Sequence, residues 1–348
     1  MNTMKYILMI VFLIPQVTEA VYRVYSGNMG DDKVEFYLLA TPDSNFDITY
    51  IKDKTYEVGY IGGPQKKEND YHFKNFTTID TDNDSDTLII KNFDFSLNKV
   101  KSESNYLFGY SEKFGDFKLK KEFEYNVFAE NGYELTRVES KQLFDNTEFE
   151  NIEFLQRSST KDFYFKVILS KKKKEDIKIT GINVYSKKNG ELLQTIKNSK
   201  GYVFYTFHAI QIGDFDFDFD FDFDGNENDF FLQGAESHAA NVPQIYYVYD
   251  ESQNKYIEAN LEGYSIQFDS ENKIATSTKT CGDVFVDPMF FTKLNKQYLF
   301  NKNKKKYDYQ DQYCISYENS EEKSIHKKCT KKERLDCEKA VVEVGEEP

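Results

Sequence analysis

The chain has 348 residues, a formal net charge of −14, 16% aromatic residues with no tryptophan, and only 6 prolines. The acidic balance argues against nucleic acid and anionic lipid as partners, because both need a basic footprint. Abundant aromatic and β-branched residues favour sheet over a helix bundle, and the length fits two or three domains.

Residues 1–20 read as a secretory signal peptide. Lys5 supplies the positive start, Tyr6 to Ile14 the apolar run, and Thr18-x-Ala20 the small residues of a cleavage site. The run is too short to span a bilayer, which takes about 20 residues, and no later stretch approaches that length. The protein is therefore expected to be secreted, with no membrane span. A first β unit is expected over 21–148, with short strands at 21–25, 34–40, 46–51, 56–61, 71–77, 87–91, 106–111 and 133–138. A second unit is expected over 150–276. In it the run from Tyr164 to Leu169 is apolar on one face, and Ile177-Lys178-Ile179 turns its lysine outward. A third segment, 277–348, ends in a Lys- and Glu-rich stretch from about Glu321 to Val344 that suits a short surface helix.

The first two units share a pattern. Tyr71, Phe73, Phe76 and Ile79 follow Y-x-F-x-x-F-x-x-I, and Tyr202, Phe204, Phe207 and Ile210 repeat it 131 positions later. Val34, Phe36, Leu38 and Leu39 match Phe163, Phe165, Val167 and Ile168 at an offset of 129. Self-similarity at a fixed period marks a duplicated unit. The expected fold is all-β: two tandem, internally duplicated antiparallel β-sandwich or jelly-roll-like units, then a small cysteine-containing module with a short helix. The signature itself reads as a core strand. An eight-stranded barrel enclosing a ligand cavity is the runner-up.

Cys281, Cys314, Cys329 and Cys337 all fall in the last 70 or so residues. Four cysteines in a secreted chain suggest two disulfides, with three connectivities open. Zinc is disfavoured by irregular spacing and by a single nearby histidine, His326.

Asp214 to Asp224 alternates Asp and Phe without interruption. An extended strand would put all the carboxylates on one face, where they repel unless water or a cation intervenes. Asp220-x-Asp222-x-Asp224-Gly225 matches the first half of an EF-hand loop, but the twelfth position is Phe231 instead of a bidentate Glu. A solvated loop or edge is the first reading, and a looser calcium site at Asp220, Asp222 and Asp224 the second. Asp80, Asp82, Asp84 and Asp86 occupy the matching place in the first unit. No other cofactor is indicated. Asn75 and Asn83 open N-glycosylation sequons, of which Asn83 is the better placed, because strand alternation would turn Asn75 inward.

No H-E-x-x-H, G-x-S-x-G or P-loop pattern occurs. The two units align none of the four histidines with one another, and His208 in Phe207-His208-Ala209 reads as packed or exposed rather than catalytic. Lysine runs at 171–174 and 304–306 read as turns. Residues 55–63, which include Tyr56-Glu57-Val58 and Ile61-Gly62-Gly63, resemble one strand of the farnesoic-acid O-methyltransferase-type β domain of invertebrates. That family's tryptophans, and its asparagine after the Gly-Gly, are absent, so the resemblance carries no functional residue into this chain. The expectation for function is a secreted, non-enzymatic protein that binds an extracellular protein or glycan. A carrier of an apolar small molecule comes second, and a hydrolase with a carboxylate site third.

Overall fold

The protein is described from a computed structural model. It describes residues 20–40, 46–62, 65–67, 70–73, 95–97, 105–111, 115–127, 148–203, 207–213, 220–234, 241–281, 290–318 and 321–339. Residues 1–19 of the expected signal peptide, the sequons at Asn75 and Asn83, the acidic residues 80–86, the strands expected at 87–91 and 133–138, and residues 214–219 of the Asp-Phe tract lie outside the described residues.

Among the described residues strand dominates and helix is confined to one short segment, as the composition implies. Strands β1 (Ala20–Met29), β2 (Asp32–Ala40), β3 (Phe46–Lys52) and β4 (Val58–Gly62) form an antiparallel meander. Strands β5 (Gln65–Lys67), β6 (Asp70–Phe73), β7 (Phe95–Leu97), β8 (Tyr106–Ser111) and β9 (Gly115–Val127) extend it, because β9 pairs with the free edge of β1. The result is one sheet in the order β4-β3-β2-β1-β9-β8-β7-β6-β5. Alternation decides its faces. Phe36 turns one way, with Phe117 of β9 at 6.3 Å, while Tyr37 turns the other, toward the second unit.

A second meander comprises β10 (Phe149–Leu155), β11 (Phe163–Lys171), β12 (Lys178–Ser186) and β13 (Leu192–Lys197). The residues matched at an offset of 129 sit on β2 and β11, each the second strand of its meander. The pairing then diverges. Strands β14 (Ile210–Gln211), β15 (Phe230–Gln233), β16 (Pro243–Asp250) and β17 (Lys255–Tyr264) make a separate sheet, whereas β9 joins β1 in the first unit.

This third sheet is buried on both faces. Phe230, Leu232, Ile245 and Tyr247 join the core shared with β11 and β12, while Phe231, Tyr246 and Val248 face a second core. Strands covered on both sides read as continuous apolar runs, as Phe230-Phe231-Leu232 and Ile245-Tyr246-Tyr247-Val248 do. The larger core also takes Tyr22, Tyr37, Ile51 and Tyr125 from the first sheet, so one apolar interior crosses from the first unit into the second. Tyr22 packs edge-on to Phe207 at 4.7 Å and to Phe154 at 5.1 Å. Lys166 meets Glu35 at 2.8 Å across the same junction.

The fourth sheet holds β18 (Ile266–Asp269), β19 (Ile274–Cys281), β20 (Phe290–Asn301), β21 (Lys306–Glu318) and β22 (Glu321–Lys327), in that order. The helix expected from about Glu321 is shorter than that. Residues 321–327 pair with β21, and α1 spans Lys331–Lys339. A capping box starts it: the Thr330 hydroxyl accepts from the Glu333 amide at 3.2 Å, and Glu333 accepts from the Thr330 amide at 2.7 Å. Disulfides Cys281–Cys337 and Cys314–Cys329 tie α1 and its approach to β19 and β21. They resolve the three open connectivities.

Candidate functional site

Among the described residues, three places gather side chains that could do chemistry or bind. The first is the described end of the Asp-Phe tract. Residues 220–225 form a turn, because the backbone reverses at Phe223 (φ 58°) and Gly225 (φ 90°). Strand alternation is lost there, so Phe221 and Asp222 are both buried. Phe221 fills the second core, 4.8 Å from the Tyr246 ring, which explains why this part of the tract is held in place. Asp220 accepts from the amides of Asp224 at 3.0 Å and Gly225 at 2.8 Å. Asp229 accepts from the amides of Phe221 and Tyr249, both at 2.9 Å.

Carboxylate oxygens of Asp220, Asp222 and Asp229 lie within 4.8 Å of one another. Of the three residues expected to bind calcium, two are in this group. Asp229 joins them, and Asp224 faces Lys305 instead. Lys305, in the turn between β20 and β21, bonds Asp222 and also Asp224 at 3.0 Å. Burial pushes the Asp222 carboxyl up to about 6, with Asp224 and Asp220 adding to the effect against the pull of Lys305. Burial also raises Asp229 well above the carboxylate range. Burial works to lower the Lys305 ammonium, but its bonds and charge interactions with Asp222 and Asp224 prevail and raise it. The cation that Asp222 and Asp224 meet in the fold is this internal ammonium.

The second place is the outer face of β8. Tyr106, Phe108 and Tyr110 alternate with buried Leu107 and Gly109, and are 41%, 45% and 48% exposed. Opposite them on β9 stand Lys120, Lys118 and Asp116. The Lys118 ammonium lies 3.8 Å from the centre of the Tyr106 ring. The signal was present in the sequence as Tyr-x-Phe-x-Tyr, but which parity faces solvent depends on β9 and β2.

The third place is a cavity of about 300 Å³ at the junction of the two units. Tyr22, Tyr37 and Leu39 wall it from the first sheet, and Ile210 from β14. Its polar groups are Asp47, Thr49, Arg157, Ser158, His208 and Gln211, with Tyr60 between the charged ones. The Arg157 guanidinium sits 3.4 Å above the centre of the Tyr60 ring, and the Tyr60 hydroxyl donates to Asp47 at 2.7 Å. Nδ1 of His208 accepts from the Arg157 amide at 3.3 Å, which leaves the imidazole proton on Nε2. Burial, aided by the Arg157 charge, lowers His208 to about 4, so it is neutral at ordinary pH.

The wall around His208 is built by Gln156, a fully buried side chain. Its Nε2 donates to the carbonyls of Phe154 and Phe207 at 3.1 and 3.0 Å, and its Oε1 accepts from the Ala209 and Ile210 amides at 2.7 and 3.2 Å. The core strand expected for the second Y-x-F-x-x-F-x-x-I signature is therefore absent at Phe207, which has a φ of 58°. An amide side chain takes over the bonds of a strand neighbour, while Phe207 and Ile210 still pack in the core. The sequence reads His208 as packed or exposed, and carries no signal that Arg157, Tyr60 and Asp47 share a cavity with it.

Fold and sites together define an all-β protein of antiparallel sheets with a doubly disulfide-tied C-terminal segment. No family model matches the chain, and the search of curated proteins finds no match.

Proposed function

We propose that the chain is a secreted, non-enzymatic binding protein that engages an extracellular glycan or protein through the outer face of β8. In this reading the two duplicated β units form the scaffold and the bridged C-terminal segment closes one end. The observation that carries it is the row Tyr106, Phe108 and Tyr110, three exposed aromatic rings on one strand face with Lys118 over the first. Aromatic faces stack on the C–H faces of sugars and anchor protein interfaces alike. Two disulfides suit an oxidising compartment, and among the described residues no helix is long and apolar enough to cross a membrane.

The carboxylates give the hydrolase reading little support. Asp222 and Asp229 are raised, but the first is tied to Lys305 and the second to two backbone amides, and neither lines the cavity. An apolar carrier is equally disfavoured, since the cavity presents Arg157, Asp47 and His208 to its contents. Calcium at Asp220, Asp222 and Asp229 would have to displace Lys305.

Binding of the fluorescently labelled protein to glycan arrays and to cell surfaces tests the proposal. Binding should be saturable, and a variant with Ser at 106, 108 and 110 should lose it while keeping its melting temperature. Sensitivity to glycosidases then identifies a glycan ligand, and sensitivity to surface proteolysis alone a protein one. No saturable binding, or equal binding by the variant, overturns the proposal.

A further inference from the structure

The junction cavity has an unusual balance of charge. Arg157 and Asp47 both line it, yet they form no ion pair with each other, because the Tyr60 ring stands between them with the guanidinium on its face and the carboxylate on its hydroxyl. Among the described residues the Arg157 guanidinium has no hydrogen-bond or carboxylate partner, so its fork of donors is available. Asp47 uses one oxygen on Tyr60 and has no described partner for the other. Two more donors face the same space. Tyr22 is only 2% exposed, and its hydroxyl has no described partner although it lines the cavity. His208 has its proton on Nε2, again without a described partner.

A lone anion in this cavity would be repelled by Asp47, and a lone cation by Arg157. A molecule carrying both charges about one ring-width apart satisfies each. A volume of about 300 Å³ lies at the lower end of small-molecule sites, which suits a single small metabolite and excludes a long lipid chain. Tyr22, Tyr37, Leu39 and Ile210 offer an aromatic and aliphatic wall for a modest apolar side chain.

We propose that this cavity binds a free α-amino acid. Arg157 takes the carboxylate in a two-pronged contact, with Tyr22 or His208 Nε2 as a further donor. The open oxygen of Asp47 takes the ammonium, and the Tyr22–Leu39 wall receives the side chain. Binding here would be independent of the β8 face, since it uses none of the same residues.

The test is a thermal-shift screen of the full secreted chain against the twenty standard α-amino acids, followed by calorimetry on any that stabilise it. Each is compared with its decarboxylated amine and its deaminated acid. At least one amino acid should bind with a dissociation constant below about 1 mM, the range of weak specific ligands, and both half-analogues at least tenfold more weakly. Arg157→Gln should abolish the preference over the amine, and Asp47→Asn the preference over the acid. Arg157 is exposed and Asp47 gives up only one acceptor, so both variants should keep the wild-type circular dichroism spectrum. Absence of stabilisation by all twenty overturns the proposal, as does a half-analogue that binds as tightly as its amino acid. Because the β8 variant leaves the cavity intact, loss of surface binding there and loss of amino-acid binding here are separately readable.

Discussion

Lys305 and Asp222 meet across 83 residues of sequence, one from the turn that joins β20 to β21 and the other from the acidic tract. The contact attaches the fourth sheet to the turn beneath it, and Tyr307 reinforces it by donating to the Phe221 carbonyl at 2.6 Å. Asp222 has a side chain only 1% exposed, so its charge has little water to rely on.

Lys305→Met should therefore destabilise the fold by about 2–3 kcal/mol, somewhat below the range for breaking a fully buried pair because the ammonium keeps some solvent. Adding Asp222→Asn should recover part of the loss, since the more buried of the two carboxylates that Lys305 meets is then neutral, while Asp224 keeps its charge. Urea denaturation of the two single variants and the double variant gives the coupling directly. The same variant addresses calcium. With the ammonium removed, Asp220, Asp222 and Asp229 are left as three close carboxylates, so millimolar calcium should raise the melting temperature of Lys305→Met more than that of wild type. Equal shifts would dismiss the acidic turn as a cation site.

Gln156 supports a different prediction. It bonds two carbonyls and two amides without any exposure to water. Gln156→Leu keeps the volume but leaves those groups unpaired, and should cost about 2–4 kcal/mol. Hydrogen exchange should show lost protection at the Ala209 and Ile210 amides first. Uniform loss across the β11–β12 pair instead would mean that the side chain supports the core generally.

How much of this was legible in the sequence follows from where each signal lies. Strand β8 was readable at Tyr106–Ser111 because its alternation is local. Strand β9 was missed, since Lys118, Lys120 and Glu122 on its outer face obscure Phe117 and Leu119 on the inner one. The Asp-Phe alternation predicted two faces, yet the turn at Phe223 and Gly225 bends the described end of the tract away from strand geometry. The cavity was beyond reach for a simpler reason. Asp47, Arg157 and His208 come from three separate segments, and only the packing of the first sheet on the second unit brings them together.

The C-terminal segment depends on its cross-links more than on its core. Helix α1 carries seven charged residues in nine and packs chiefly through Cys337. On the chain-entropy model the Cys281–Cys337 bridge, which closes 56 residues, contributes about 4 kcal/mol, and Cys314–Cys329, which closes 15, about 3 kcal/mol. The Cys281→Ser/Cys337→Ser double variant should thus free α1 to proteolysis at its lysines while residues 148–264 stay resistant. Mass spectrometry of a brief tryptic digest reads this out, and simultaneous cleavage in both regions would show that the segment is needed by the whole fold.

His208 gives the stability a pH dependence with a definite sign. Burial, with Arg157 as the nearby like charge, holds it at about 4 in the folded chain, against an ordinary value of 6.5. Between those values the unfolded chain binds a proton that the folded chain does not, so stability falls as the solution is acidified through this window. The contribution is complete above about pH 6.5 and spent near pH 4, and 2.5 pH units correspond to about 3 kcal/mol. His208→Asn removes the titration, so its stability should fall less than that of wild type between pH 6.5 and 4. Parallel urea titrations at pH 6.5, 5.5 and 4.5 measure the difference. Identical slopes in the two proteins would place His208 in solvent, and would count against a cavity in which its Nε2 proton is held for a ligand.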